Sequence, residues 1–458
     1  MKKMIIIGAG AAGMMTAIKA SDDYSVTLIE KNDRPGKKLY ITGKGRCNVT
    51  NDSDEETFLK NVVTNPKFLY SAIYSYNQSA VISDFESWGV KLKTERGNRV
   101  FPESDHSSDI IKALKMELSN RNISILYNTE VKKILNEDFV EDKYLKQATG
   151  VELKNGKKIS ADVVVIATGG CSYAATGSTG DGYKYIEQIN KSIIKDFKTQ
   201  ADPTLSNDDL EKTLNKSLIE VVPPRCSLVP LVTKECFVKD MMGLSLKNVS
   251  LKVVASKDAF SKLKKDKVLY EDFGEMLFTH FGVSGPLCLS ASSYISSFLA
   301  KNIENTFTNL NGIKLYIDLK PALSEEELDK RILRDFEEFH NKDFQNSLGK
   351  LLPRLIIPVI VNQSGIKADK KVNSITAEER KKLIATLKSF ELNLYGLRGF
   401  DEAIITGGGV SVKEINPQNM ELKKVKNLRV AGEVIDCDAL TGGFNLQIAW
   451  STGYLASV

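Results

Sequence analysis

Paired cysteines are missing from this sequence. Its six cysteines stand at positions 47, 171, 226, 236, 288 and 437, and no C-x-x-C occurs. That spacing excludes a local dithiol redox centre and a zinc knuckle, and it suits the reduced thiols of a cytoplasmic protein. Histidine is scarcer still. His106, His280 and His340 are widely separated and show no metal-ligand rhythm, so no metal is expected. Long hydrophobic runs are absent too, so no segment reads as a membrane span. The short apolar start, Met4–Ile7, runs straight into glycine, which makes it a core strand and not a signal peptide. Neither sign of charge dominates: the formal net charge is +5 over 458 residues. The lysine-rich stretch 257–267 carries Asp258 and Asp266 within it and Glu271 and Asp272 just beyond. Without interleaved aromatics, that composition reads as a solvated face rather than a nucleic-acid groove. The expected partner is a small molecule, with no nucleic acid and no membrane.

What is present begins at once. MIIIGAGAAG, residues 4–13, is an apolar run that stops at Gly8, with Gly10 and Gly13 completing G-x-G-x-x-G. It reads as a buried parallel strand, a tight turn and a helix through Met14, Met15, Ala17 and Ile18. A pyrophosphate needs that arrangement: no Cβ blocks its approach, and the helix N-terminus offers free N–H donors and a positive dipole end. The second half of the signal follows. SVTLIE, Ser25–Glu30, is another strand, and Glu30 falls 22 residues after Gly8, where an acid accepts hydrogen bonds from a ribose diol.

The chain is long enough for two or three domains. Residues 31–52 are rich in Gly, Lys and Asn and read as a functional loop, and residues 53–120 read as mostly helical. ISILYNTEVKKIL, residues 123–135, suggests two short strands, and Asn155-Gly156 the turn of a hairpin. DVVVIA, Asp162–Ala167, repeats the strand-to-glycine transition at Gly169-Gly170. Strand-like runs such as SLVPLV, VSLKVVA and IKLYIDL fill residues 196–320. SEEELDKRILRDFEEF then opens with a Ser cap and places Leu328, Ile332, Leu333 and Phe336 at helical spacing. Strand-to-glycine grammar returns at Ala403–Gly409 and at LRVAGEVIDCDALTGGFNLQ, where Gly442-Gly443 precede a helix. The expected architecture is α/β: a Rossmann-like nucleotide-binding domain from residues 1–195 and 389–458. Between its halves lie a mostly-β insert over 196–323 and a helical part over 324–388.

FAD is favoured over a nicotinamide as the resident, non-covalent cofactor. The nucleotide-binding strand stands at the start of the chain. The second glycine pair, opening a helix, suits a second negative pole such as the flavin N1–C2=O edge. The VVVIATGG strand is of the kind that passes beside the dinucleotide in flavoproteins. Six blocks then carry a family resemblance: GAGAAG at 8–13, GKKLYITGKGRCNVTN at 36–51, ATGGCSYAATGSTGDGY at 167–183, GEMLFTHFGVSGPLCLS at 274–290, TGGGV at 406–410 and AGEVIDCDALTGGFNLQIAWSTG at 431–453. Across nearly its full length the chain resembles bacterial NAD(P)/FAD-dependent oxidoreductases of the aminoacetone-oxidase-like and bile-acid enone-reductase-like type. The resemblance implies an FAD-binding domain of the two-dinucleotide-binding flavoprotein type, with a barrel-like insert and a small helical subdomain between its halves. One departure is Ala174-Ala175, where a proline is common.

The resemblance implies that Gly8, Gly10, Ala11, Ala12 and Gly13 hold the pyrophosphate and that Glu30, with Lys31 beside it, serves the adenosine ribose. It places Lys38, Thr42, Gly45, Arg46, Cys47 and Asn48 along the flavin side, and Val131 against adenine through its backbone. Ala167, Thr168 and Gly169 would flank the dinucleotide. Gly432, Glu433, Gly442, Gly443, Phe444, Asn445 and Gln447 would wrap the ribityl chain and pyrimidine edge. A flavin performs the difficult electron transfer itself. The protein must place a substrate over N5 and supply a proton, for which Tyr173 and His280 are the candidates. Cys47 and Cys437 read as small packing residues, and Arg46 as either an anchor or a loop cap. The insert, carrying LFTHFGVSGP, is expected to cover the flavin. The T-G-G…T-G-D-G-Y pattern is similar to that of flavoproteins that reduce or form C=C bonds beside a carbonyl, and by that analogy enone reduction is expected over amine oxidation. NAD(P)H is the expected transient donor, although no motif marks its site. A flavin-dependent RNA-modifying enzyme and a non-catalytic flavin-binding protein remain the alternatives.

Overall fold

The computed structural model describes all residues except 140–141, 201–206, 303–309 and 311. The chain forms two compact units, one from Met1–Cys226 with Ala403–Val458 and one from Ser227–Glu402.

The first unit is organised by a five-stranded parallel sheet. Strand β1 (Lys2–Ile7) pairs with β2 (Tyr24–Ile29), and β2 with β3 (Ser124–Leu126). On its other side β1 pairs with β4 (Val163–Ile166), which pairs with the strand Leu428–Val430. Parallel strands covered on both faces need continuous apolar sequence, and Met4–Ile7 and Val163–Ile166 are buried throughout. At about 1.5–3 kcal/mol for each fully buried aliphatic side chain, these two runs alone are a large part of the driving force. Helix α1 (Ala11–Ala20) packs on the C-terminal helix Phe444–Leu455, and the Thr16 hydroxyl at their contact reaches the carbonyls of both Ala12 and Gly453 at 2.9 Å.

The segment expected to be mostly helical departs from that reading. Helices Glu55–Lys60, Tyr70–Ser75, Gln78–Ser87 and Ser107–Asn120 are present, but Leu92–Glu95 and Arg99–Pro102 form an antiparallel pair among them. Its strands are too short for period-two alternation to stand out. A second correction concerns TGGGV. The strand Ile405–Val410 runs through its glycines instead of ending at them. A Cβ at Gly408 would meet the Pro223 carbonyl oxygen at 2.4 Å, and one at Gly409 the Val434 carbonyl oxygen at 2.4 Å. Backbone approach, not a turn, demands glycine there.

The second unit contains a closed six-stranded barrel. Its order is Leu231–Thr233, Gly282–Ser284, Lys267–Thr279, Ser245–Ala255, Ile313–Asp318 and Phe390–Leu397. Alternation sends Leu251, Val253 and Ala255 inward while Ser250 and Lys252 stay partly exposed. Helix Glu325–Glu338 has its Ser324 cap and a complete capping box with Glu327. Leu328, Ile332 and Phe336 are buried, whereas Leu333 lies off the stripe and is exposed. Helix Pro286–Asn302 was not evident from the sequence. Ser290, Ser292, Ser293 and Ser296 are buried, and Ser292 accepts the Val229 N–H at 2.9 Å, so hydrophobic periodicity does not mark its face.

Candidate functional site

The glycines of the first loop do different work. Gly8 adopts φ +103°, and a Cβ there would stand 2.6 Å from the Ala167 carbonyl oxygen. A Cβ on Gly13 would fall 1.9 Å from the Gly8 oxygen, so this glycine lets α1 approach the strand end. Gly10, the N-cap of α1, is open: no atom lies within 4 Å of the position its Cβ would take, and no side chain caps the helix. The first-turn N–H groups, from Ala11 to Gly13, have no intrahelical acceptor. Glu30 sits beside this loop, buried. Its Oε2 accepts the Ala9 N–H at 2.8 Å, and its Oε1 accepts the Asn32 N–H at 2.8 Å and the Asn32 amide at 2.7 Å. Three bonds leave acceptor capacity for a ribose hydroxyl. Lys31 turns elsewhere, donating to Asp181 and Thr179 at 2.6 Å each.

A second segment is tied to the first by the Gly36 N–H on the Ala9 carbonyl at 2.9 Å. It leads through helix α2 (Lys37–Ile41) into a left-handed run: Gly43, Lys44, Gly45 and Cys47 all have positive φ. Two non-glycine residues held there make this a strained stretch. Thr42 donates to Leu39, closing the helix end, and Gly45 has open space around its Cβ position. Cys47 is fully buried, which pushes its thiol up to about 12, the behaviour of a packing residue. Arg46 is engaged by two carboxylates. Its Nε donates to Asp105 at 2.8 Å, its Nη2 reaches Glu95, and the guanidinium lies 4.1 Å from the Phe101 ring centroid.

The remaining predicted residues return from distant sequence. Ala167 bonds its N–H to Ile7, and the buried Thr168 hydroxyl has no partner among the described residues. Gly169 has φ +71°, and its Cβ position lies 3.0 Å from the Ser178 hydroxyl. The Val131 carbonyl accepts the Tyr185 hydroxyl at 3.0 Å. Gly432 presses on α1, its Cβ position 2.8 Å from the Ala12 Cβ. Glu433 follows, and its carboxylate accepts Lys38 at 2.5 Å, Ser172 at 2.8 Å and the Thr406 N–H at 2.7 Å. Burial alone would raise this carboxyl, but Lys38 and the donors hold it below its ordinary value.

At the C-terminal helix, Gly442 has φ +124° and gives its carbonyl to Asn51, and Gly443 has φ +100°. The Asn48 Oδ1 beside Gly443 is buried and unpartnered. Phe444 packs edge-on against Phe58. Asn445 is committed to Ala439 and Leu440, and Gln447 to Thr50, Tyr76 and Ser451. The side-chain amides of these two hold the chain.

Ser172 and Thr406 were not singled out from the sequence, although both adjoin glycine motifs, and that adjacency was the available signal. A second unforeseen group is Arg225, whose guanidinium meets Asp436 at 3.4 Å, Asp438 at 3.3 Å and Thr64 at 2.9 Å. Burial, with Asp438 nearby, raises the Asp436 carboxyl against the pull of Arg225.

The two proton-donor candidates fall in different units. Tyr173, directly after Ser172, is held at φ 56° and half-buried in the first unit. His280 is exposed in the second, on the turn between Lys267–Thr279 and Gly282–Ser284, edge-on to Phe281. Arg398 covers the Phe281 ring at 4.6 Å. Among the described residues no group of His, Cys, Asp and Glu could hold a metal, and no helix is long and apolar enough to cross a membrane.

The open Gly10, the acceptor capacity of Glu30 and the orphaned Thr168 and Asn48 atoms fit an extended dinucleotide with an anionic centre. Comparison with known proteins agrees. Residues 2–458 match the family described as HI0933-like protein Rossmann domain. Over 460 residues, covering 100% of this chain and 98% of the relative, the chain is 27% identical to a 3-dehydro-bile acid delta(4,6)-reductase of Clostridium scindens. It is 29% identical over 460 residues to a ribosomal RNA dihydrouridine synthase of Haemophilus influenzae, covering 99% of this chain and 97% of that protein. Among solved structures, a 3-ketosteroid delta1-dehydrogenase from Sterolibacterium denitrificans aligns with a TM-score of 0.45 at 13% identity, covering 100% of this chain and 98% of that one.

Proposed function

As the chain belongs to the HI0933-like Rossmann family and is an FAD-dependent oxidoreductase, we propose that it saturates a carbon–carbon double bond conjugated to a carbonyl in a small organic substrate, with NAD(P)H as electron source. The observation that supports this most is chemical. Two relatives matched along nearly their whole length, a 3-dehydro-bile acid delta(4,6)-reductase and a ribosomal RNA dihydrouridine synthase, bear names that both denote saturation of a C=C bond conjugated to a carbonyl. When bound and reduced by NAD(P)H, FAD would supply the hydride.

The chain's own residues then have two tasks. Gly10 and the first-turn N–H groups of α1 receive the pyrophosphate, and Glu30 the ribose. Conjugate reduction also needs a proton at the carbon next to the carbonyl, and Tyr173 is the proposed donor. It stands in the unit that carries the glycine cradle, and its backbone is held in the left-handed region by the loop around it.

Uridine in RNA is the second reading, supported by the dihydrouridine synthase relatives. The lysines of 257–267 give it limited help, since Asp266 lies among them and bonds the Lys257 N–H at 2.9 Å. Anaerobic assays with NADH or NADPH, a 3-oxo-Δ4 steroid, cyclohexenone and a uridine-containing oligoribonucleotide separate the readings. Turnover of the enones supports the first, and turnover of the oligonucleotide alone replaces it with the second. Flavin reduction without turnover of any of them leaves an electron-accepting binding protein. Tyr173→Phe is expected to slow enone turnover at least about 100-fold while flavin reduction by NAD(P)H is unchanged. An equal loss in His280→Ala, with Tyr173→Phe active, would transfer the role.

A further inference from the structure

The four residues Lys38, Ser172, Thr406 and Glu433 come from helix α2, the loop after β4, the strand Ile405–Val410 and the turn Gly432–Val434. Their hydrogen bonds can be assigned without ambiguity. The Thr406 hydroxyl oxygen accepts the Cys171 N–H at 2.8 Å and the Ser172 N–H at 3.0 Å. Both of its lone pairs are therefore used, and its 3.0 Å contact with the Ser172 hydroxyl must be a donation. Ser172 also accepts from Lys38 at 3.0 Å, so its own proton goes to Glu433 Oε1 at 2.8 Å. Oε1 accepts the Thr406 N–H as well, and Oε2 takes Lys38 at 2.5 Å. Ser172 is fully buried, and every donor and acceptor of the two hydroxyls is filled. Lys38 has three N–H donors and uses two. The third meets no acceptor among the described residues, and the Lys38 side chain keeps 21% of its exposure.

The network adjoins the cofactor cradle: Gly432 presses on Ala12, and the Cβ position of Gly169 lies 4.0 Å from Glu433 Oε2. We propose that Ser172 and Thr406 are positioning residues that hold Lys38 and Glu433 as fixed opposite charges, aim the third N–H of Lys38 at the bound cofactor and so set the charge the flavin experiences. This rests on the reading that FAD lies along the Gly10 cradle.

The other titratable groups around Glu433 are Cys171 and Tyr183. Burial raises both, with Glu433 adding to it, so they stay neutral near pH 7. Removing the Ser172 or Thr406 hydroxyl takes stabilising donation from the charged form of Glu433, directly or through Ser172.

The test is the midpoint potential of bound FAD as a function of pH, measured against a reference dye in the parent protein, Ser172→Ala, Thr406→Val and Thr406→Ser. The pH at which the potential responds to Glu433 is expected to move up in Ser172→Ala and Thr406→Val and to return in Thr406→Ser, with stoichiometric FAD in all four. Unchanged curves with FAD bound, or loss of FAD from both Ser172→Ala and Thr406→Val, would overturn the proposal and leave the network purely structural. The cofactor reading falls separately, if Gly10→Val retains stoichiometric FAD.

Discussion

Among the helices of the first unit that begin at glycine, α1 and Phe444–Leu455 do so for opposite reasons. At α1 the cap Gly10 has φ −82°, which any L-residue adopts, and open space where its side chain would be. At Phe444–Leu455 the cap Gly443 has φ +100°, and its Cβ position is 2.3 Å from the Thr50 carbonyl oxygen. The first glycine leaves room for something that is not part of the chain. The second is required by the chain's own backbone. A glycine before a helix is therefore ambiguous in sequence, and only the neighbours of the absent Cβ separate the two cases.

Substitutions should make that contrast measurable. The largest effect is expected from Gly443→Ala, where left-handed strain and a backbone clash combine to cost about 3 kcal/mol or more. Thermal unfolding of the apoprotein would show it, and an unchanged midpoint would mean that the Thr50 segment yields. Gly10→Val should do the reverse. The apoprotein's unfolding free energy should stay within about 1 kcal/mol, while FAD affinity, by titration of flavin fluorescence, falls at least about 100-fold. Parallel loss of stability and affinity would erase the distinction.

Glu30→Gln lies between these cases, because the carboxylate holds the loop through Ala9 and Asn32 and also faces the cradle. Turning one acceptor into a donor should cost about 1–3 kcal/mol in stability and weaken FAD as well. A change in one quantity alone would assign Glu30 to chain or ligand. The smallest effect concerns pH. Glu433 has its carboxyl held below the ordinary 4.5, against burial, by Lys38 and hydrogen-bond donors. Its contribution is present above 4.5 and is lost as pH falls through the lowered value. Glu433→Gln should therefore show a flatter acid limb than the parent in unfolding experiments below pH 4.5, and superimposable limbs would mean that the ion pair adds nothing to folding.

The parts legible in the sequence are those written in local spacing. Strand, glycine loop, helix and acid at Met4–Glu30 reappear as β1, α1, β2 and a carboxylate on the loop. The Ser324 capping box is equally local. What escaped is written across distance. Thr406 meets Ser172 from 234 residues away, and neither position has a pattern that announces the other. Leu333 fits the count of apolar spacing but not the angle, which places it outside the buried stripe. The helix Pro286–Asn302 hides because serines buried by hydrogen bonding look polar in sequence. Gln447 and Asn445 lie in a motif of the expected kind, yet the Asn445 amide bonds the backbone of Ala439 and Leu440, and the Gln447 amide bonds the Thr50 and Ser451 hydroxyls and the Tyr76 carbonyl.

The Thr16 hydroxyl, shared between Ala12 and Gly453, has a consequence for how this chain is made. Strand β4 lacks its Leu428–Val430 neighbour, and α1 lacks its partner helix, until the ribosome has delivered residues 428–455. The barrel unit is continuous in sequence and is complete earlier. Synthesis thus orders assembly: the interrupted unit waits, its parallel sheet open at one edge, while a contiguous unit forms within the interruption. Slow decoding after residue 402 would lengthen the exposure of that edge, making late translation the stage at which this protein is most open to aggregation.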